Sequence, residues 1–277
     1  MEKVPFMKMN GCGNDFVVID NREGIMQHFD LYKFIRRVCA RRTSIGADGL
    51  MLLEKSNKVD FKMRYFNADG SEGEMCGNGA RCISKFAYLI GAAQKQMQFE
   101  TMAGIYESQI NGENVKVKFP PVQMKNIQLN RRHDFGQVND FHFAIVGVPH
   151  VVIYCDDVDN MEYKELYNLG KKIRNSLDVF PEGTNVNFVQ YVDESNMKIR
   201  TYERGVEDET FACGTGSTAS AVISGLLGKV KSPVNMHTRA GILKIYFNLG
   251  KDLIDDIYLE GDARVVAEGY ILPDAWK

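Results

Sequence analysis

The 277-residue chain is predicted to fold as two α/β halves of one design, each a mostly buried helix surrounded by strands. Three observations predict this. The sequence matches itself when slid by 137 positions, runs of period two flank the matched segments, and each matched segment contains a stretch of helical composition.

The repeat sets the architecture. At an offset of 137, Cys76, Gly77 and Gly79 fall on Cys213, Gly214 and Gly216. Leu89 and Gly91 fall on Leu226 and Gly228, Tyr65 falls on Tyr202, and TMAGI (Thr101 to Ile105) falls on TRAGI (Thr238 to Ile242). The order of these matches is that of a duplication.

FKMRYF (Phe61 to Phe66) and MKIRTY (Met197 to Tyr202) alternate as half-buried strands do. So do VKVKF (Val115 to Phe119), ILKIYF (Ile242 to Phe247) and DIYLEG (Asp256 to Gly261). The stretches that begin at Cys76 and Cys213 are instead rich in Ala, Ser, Ile and Leu, and each closes on a glycine suited to a helix C-terminus. Ser217 to Leu227 carries no charge, and a helix apolar all round belongs in an interior. Two further helices, Leu31 to Arg42 and Met161 to Leu177, read as peripheral.

A chain of this length favours two domains. The first covers residues 1–119, and Pro120-Pro121 then interrupts strand pairing. The second covers 120–262, and the last stretch, about 263–277, is expected to return to the first sheet.

Composition excludes several classes of function. With 34 basic and 36 acidic residues the net charge is −2, so no electrostatic case exists for nucleic acid or an anionic membrane. No apolar run approaches the roughly 18 residues of a membrane span. MEKVPFMKMNGCGNDF has neither an apolar leader core nor a cleavage pattern, so a cytoplasmic protein is expected. Cys12, Cys39, Cys76, Cys82, Cys155 and Cys213 lack paired C-x-x-C spacing, so neither a metal nor a cluster is expected. Most are expected to be small buried hydrophobes.

Cys76 and Cys213 differ in context. Each sits where a helix begins, beside unpaired backbone N–H groups and the positive end of the dipole, a setting that favours the thiolate. Flanking glycines would let an anionic ligand approach those N–H groups. Two such helix starts aimed at one pocket would hold a carboxylate between two thiols. One thiolate could remove the proton α to that carboxylate while the opposite thiol protonates the other face. No cofactor is needed, but the developing enolate requires strong electrostatic stabilisation.

Other readings compete. GTGSTA (Gly214 to Ala219) fits the spacing of a dinucleotide fingerprint, but Val234 to His237 stand where its acidic residue belongs. A redox disulfide pair is a second alternative. Plain packing is the default for either cysteine alone, and the duplicated setting reverses that default.

The motifs GCGNDFVVID (Gly11 to Asp20), SIGADGL (Ser44 to Leu50), FNADGSEGEMCGNGARC (Phe66 to Cys82), PEGTNVNFV (Pro181 to Val189) and YERGVEDETFACGTG (Tyr202 to Gly216) resemble those of the diaminopimelate epimerases, a family of pyridoxal-independent epimerases and racemases. The resemblance spans nearly the whole chain. Proline racemases usually carry histidine where Asn78 stands, which favours the diaminopimelate branch. It implies two pseudo-symmetric domains, each a mixed, mostly antiparallel sheet wrapped round a central helix, with the site in the cleft between them. It implies further that Cys76 and Cys213 are the acid–base pair, acting without cofactor on a small amino-acid substrate. Asn14, Asn67, Gly77, Asn78, Asn185, Glu203, Arg204, Gly214 and Thr215 would line that substrate. Arg204 can clamp a carboxylate, Glu203 can accept an ammonium, and the asparagines offer neutral hydrogen bonds. Asn67 as a turn former and Arg204 as a surface ion pair are the blander alternatives. His150 would orient the pocket or simply pack. A homodimer is compatible with the family.

One position departs from the pattern. GVPH stands where the family commonly reads G-N-P-H, so Val148 replaces an asparagine that helps hold the distal end of the substrate. Losing one such hydrogen bond costs about 1–3 kcal/mol. The expected activity is therefore interconversion of LL- and meso-diaminopimelate, with a racemase of another amino acid, such as histidine, as the nearest alternative. A thiol–disulfide oxidoreductase and a silent amino-acid-binding protein are the alternatives from other classes.

Overall fold

The computed structural model describes residues 3–277. The helices that follow the repeated cysteines span Gly77–Leu89 and Gly214–Leu226, 13 residues each, in the same register of the repeat. The chain divides into two compact units, Met1–Lys118 with Glu260–Lys277, and Phe119–Leu259.

In the first unit the order is β1 (Val4–Gly11), β2 (Asn14–Asp20), α1 (Leu31–Val38), β3 (Gly49–Glu54), β4 (Phe61–Asn67) and β5 (Glu72–Gly73), then α2 (Gly77–Leu89), β6 (Gln96–Thr101), β7 (Gly104–Asn111) and β8 (Asn114–Lys118). Strands β1 and β2 pair antiparallel, β2 and β3 pair parallel across the α1 crossover, and β3 and β4 pair antiparallel. A parallel β4–β6 contact then leads into the β6–β7–β8 meander. Helix α2 packs on β1, β2, β7 and β8.

The second unit repeats this plan. After β9 (Val122–Gln123) come β10 (Ile127–Arg132), β11 (Asp140–Val146), β12 (Val148–Tyr154), α3 (Tyr163–Arg174), β13 (Asn185–Asp193), β14 (Asn196–Glu203) and β15 (Asp208–Thr210). They continue with α4 (Gly214–Leu226), β16 (Val234–Thr238), β17 (Gly241–Leu249) and β18 (Leu253–Asp262). Again one parallel pair, β12 and β13, brackets a crossover helix, and again the longer strand ahead of the second helix, β14, separated from it by the short β15, pairs parallel to the one after it, β16. Helix α4 packs on β11, β12, β13 and β17. The final strand, β19 (Arg264–Ile271), pairs antiparallel with β1.

Each central helix stops for a stated reason. Gly91 and Gly228 adopt φ of 69° and 70° just beyond the C-caps Ile90 and Leu227. The N–H groups of Ala92 and Lys229 then reach back to the carbonyls of Ala87 and Ser224, at 2.8 and 2.9 Å. The Gly91 and Gly228 N–H groups donate in turn to the Tyr88 and Gly225 carbonyls, and this pair of hydrogen bonds is the Schellman closure, whose left-handed residue glycine meets without strain. Every α4 residue from Gly216 to Gly225 is buried, which accounts for its lack of charge.

The crossover helices are shorter than predicted. Helix α1 ends at Val38 rather than Arg42, because Arg42 turns to a φ of 72° while Arg41 reaches out to Asp15 and Asp48. Helix α3 runs from Tyr163 to Arg174 rather than from Met161 to Leu177. The Met161 carbonyl is bonded to Arg200, and the side chains of Asn175 and Ser176 take the carbonyls of Lys171 and Lys172. Both helices still bury an apolar stripe. Phe34, Ile35 and Val38 join Val17, Ile19, Leu50 and Leu52, and Leu166, Leu169 and Ile173 join Val151, Ile153, Val186 and Phe188. Among the described residues no helix is long and apolar enough to cross a membrane.

Candidate active site

Cys76 is the N-cap of α2, extended at φ −137° and ψ 120°, and its Sγ accepts from the Gly79 N–H at 3.4 Å. Cys213 is the N-cap of α4, extended at φ −113° and ψ 113°, with Sγ 3.6 Å from Thr215 Oγ1. Both sulfurs therefore stand at the end of a 13-residue helix where N–H groups lack helical partners. The other four thiols have different surroundings. Burial pushes Cys12 and Cys155 up to about 11, Cys39 up to about 12, and Cys82 upward as well.

Around Cys76 the first unit assembles a polar cluster. The two-residue turn between β1 and β2 has Cys12 at φ 47° and Gly13 at φ 85°, the two left-handed positions of a type I′ hairpin. That turn delivers Asn14, whose Oδ1 accepts from Asn78 Nδ2 and whose Nδ2 donates to Asp48 at 3.2 Å. Asn78 is the second residue of α2, nearly buried, and its own Oδ1 accepts from Arg81 at 2.8 Å. Arg41 bridges Asp48 and Asp15 at 2.7 and 2.5 Å. Burial pulls the Asp15 carboxyl upward, but Arg41 and Lys8 overcome it and hold the group at about 2. Asn67, at the end of β4, accepts from Tyr65 Oη at 2.7 Å and donates to Ser71 Oγ at 3.1 Å. Its backbone carbonyl also closes a turn onto Gly70, so the turn-forming role anticipated for it is present.

The second unit supplies a matching set. Asn185, at the start of β13, is buried and donates to the Pro149 carbonyl at 3.1 Å while accepting from the Arg204 N–H at 2.9 Å. The Arg204 guanidinium donates to the Glu182 carbonyl at 2.6 Å and pairs with no carboxylate among the described residues. The surface ion pair considered for it is thus absent. Glu203 accepts from Thr210 Oγ1 at 2.9 Å, and burial raises its carboxyl against that hydrogen bond. His150 is wholly buried, and burial followed by the nearby Arg204 charge drives it down to about 3. Asn187 Nδ2 donates to the Val151 carbonyl at 2.8 Å and lies 3.3 Å from His150 Nδ1. Val148 opens β12 opposite Val146, across Gly147 at φ 72°.

The glycines of the two cysteine motifs also meet close neighbours. A methyl group on Gly79 would sit 3.0 Å from Met51 Sδ, and one on Gly214 would sit 3.1 Å from Leu259 Cδ1. One on Gly216 would overlap Asn187 Oδ1. At these three positions the helix starts press closely on neighbouring side chains. Arg81, Asn187, Asp48 and Thr210 were not singled out from sequence. Asn187 carried one usable signal, a polar residue on the inward side of the apolar run NVNFV.

A family model for diaminopimelate epimerase matches residues 6–125 and 133–266. The diaminopimelate epimerase of Chlorobaculum tepidum is 44% identical over 270 residues, covering 95% of this chain and 99% of that protein. The enzyme of the same name from Aquifex aeolicus is 43% identical over 279 residues, with coverage of 95% and 96%. Among solved structures, a hydroxyproline epimerase from Agrobacterium vitis aligns with a TM-score of 0.72 at 14% identity, covering 98% of this chain and 93% of that one. A phenazine biosynthesis protein of the PhzF family from Bacillus anthracis gives 0.72 at 15% identity, with coverage of 98% and 100%. These distant likenesses establish the fold, a two-domain arrangement of mixed sheets and helices. The family model and the near full-length relatives show that the chain belongs to the diaminopimelate epimerase family.

Proposed function

We propose that this protein is a cofactor-independent amino-acid epimerase that interconverts LL- and meso-diaminopimelate, with Cys76 and Cys213 as its acid–base pair. The observation that carries the proposal is the repeated placement of a cysteine as N-cap of a 13-residue helix in a chain of this family. At such a position the dipole and unpaired N–H groups stabilise a thiolate and also a substrate carboxylate.

The proposed reaction balances without any added group. One cysteine thiolate takes the α-proton and becomes a thiol, leaving an enolate-like carbanion on the substrate. The opposite cysteine thiol gives its proton to the other face and becomes a thiolate. Each turnover inverts the centre and exchanges the protonation states of the two sulfurs. Removing the proton from so weak an acid demands stabilisation of the developing charge, which the N–H groups at the two helix starts would provide. Arg204 would bind a carboxylate, Glu203 an ammonium, and Asn14, Asn67, Asn78, Asn185 and Thr215 would complete the hydrogen bonds, with backbone donors at Gly77 and Gly214. His150, neutral and buried, would support Asn187 and the pocket wall.

Turnover of LL-diaminopimelate in D2O, without pyridoxal phosphate, tests the chemistry. Deuterium should appear at the α-carbon of the meso product from the first turnover. Epimerisation that retains the original proton, or requires pyridoxal phosphate, would contradict it.

Val148 favours one second reading, a racemase of another amino acid. Its side chain offers no hydrogen bond where the family places an asparagine. Chiral chromatography after incubation with diaminopimelate isomers, lanthionine, histidine, lysine and proline separates the two. A small-molecule substrate, a cytoplasmic location and a homodimeric assembly belong to the same proposal, and light scattering of the purified protein reads the assembly.

A further inference from the structure

Arg81 is the largest fully buried side chain among the described residues, with none of its surface exposed. It is the fifth residue of α2, and side chains on a helix lean back toward its N-terminus. Arg81 follows that direction to the first turn. Nη2 donates to Asn78 Oδ1 at 2.8 Å, Nη1 to the Gly77 carbonyl at 3.3 Å, and Nε to the Asp262 carbonyl at 3.2 Å. Gly11 roofs the guanidinium, since a methyl group there would lie 3.6 Å from Nη2 and 3.0 Å from the Asn78 carbonyl.

No carboxylate among the described residues lies within ion-pair distance of this cation. Asp262 gives Arg81 only its backbone carbonyl, while its carboxylate is committed to the Cys12 N–H and to Arg264. A buried guanidinium without a counter-ion is unfavourable, and an arginine kept for packing alone would be replaceable by an apolar residue of similar volume. Its charge is also felt locally, for it works against burial at both Cys12 and Cys82.

We propose that Arg81 is a positioning residue for the epimerase reaction, fixing the Asn78 carboxamide and adding a full positive charge beneath the start of α2. With Oδ1 held by the guanidinium, Asn78 can only present its Nδ2 donor, which is the group that meets Asn14. The charge supplements the helix dipole where Cys76 and a substrate carboxylate would carry negative charge. This inference rests on the role proposed for Cys76.

The test uses full-length protein carrying Arg81→Gln or Arg81→Lys. The rate of iodoacetamide modification at Cys76 is measured against pH in a Cys213→Ala background, by mass spectrometry, with near-ultraviolet circular dichroism to establish folding. KM and kcat are measured with both cysteines in place. Arg81→Gln should raise the midpoint of Cys76 modification by about one pH unit, making it about tenfold slower near neutrality. Arg81→Lys should keep the midpoint but raise KM about tenfold, because an ammonium cannot hold Asn78 as a planar fork does. A folded Arg81→Gln protein with the native midpoint overturns the proposal. If that variant does not fold, Arg81→Lys decides, and a native KM there overturns it. Undiminished epimerisation by the Cys213→Ala protein would instead overturn the two-thiol chemistry and leave the Cys76 midpoint readable.

Discussion

Asn187 and Gly216 are in such close approach that a methyl group on the glycine would overlap the asparagine Oδ1. The contact joins the start of α4 to β13 three residues after Cys213. Asn187 itself is wholly buried and fixed by Thr201 Oγ1, which donates to its Oδ1 at 3.0 Å, so it has no room to yield. Gly216→Ala should therefore destabilise the fold by about 1–3 kcal/mol and displace the Cys213 end of the helix. Denaturant midpoints and kcat should both fall. Gly228→Ala is the control, because nothing lies within 4 Å of its missing Cβ. It should lose only about 1 kcal/mol to its left-handed backbone and retain native kcat.

The buried His150 predicts acid sensitivity. Its folded-state value near 3 lies below the ordinary histidine value of about 6.5, so the unfolded chain binds a proton that the folded one refuses. Stability is therefore full above pH 6.5 and falls as the pH drops from there toward 3. Between pH 6.5 and pH 5 the loss attributable to this residue is roughly 2 kcal/mol. His150→Gln should flatten the stability profile in that window, as read from urea midpoints at several pH values. An unchanged slope would show that other groups set it.

Glu203 predicts a pH effect on binding. Burial raises its carboxyl, while the Thr210 hydroxyl opposes the rise. If its carboxylate accepts the substrate ammonium, kcat/KM should fall as the pH drops through that raised value. Thr210→Val removes the opposing hydrogen bond, so the acidic limb should move to higher pH. An acidic limb that stays in place would separate Glu203 from substrate binding.

Thiol reactivity should divide the six cysteines. Cys12, Cys39, Cys82 and Cys155 are all pushed upward by burial, so at neutral pH they remain thiols and react slowly. Brief iodoacetamide treatment of the native protein should modify Cys76 and Cys213 first, and Cys155→Ser should keep full activity. Early modification at Cys12 or Cys155 would contradict this ranking.

Much of the fold was legible because its causes are local. The offset between Cys76 and Cys213 gave two helices of one length, and Gly91 and Gly228 marked their ends through a backbone only glycine adopts freely. Period-two alternation located β4, β8, β14, β17 and β18. The ends of α1 and α3 were not legible, since they depend on Arg41 reaching Asp15 and on Arg200 taking the Met161 carbonyl, contacts between residues 26 and 39 positions apart. The same limit applied to the site. Sequence motifs flagged Asn14 and Asn78, but nothing in the sequence marked the Arg81 guanidinium behind them as buried. Gly79 and Gly216 were legible as glycines but their close packing partners were not, because such a partner leaves no mark nearby in the chain.

Measuring epimerisation by the single variants Cys76→Ala and Cys213→Ala tests the two-thiol account most directly, with LL- and meso-diaminopimelate as separate starting materials. Each variant should fold like the native protein and yet produce no inverted isomer from either substrate. Inversion at the native rate by either variant would contradict the account.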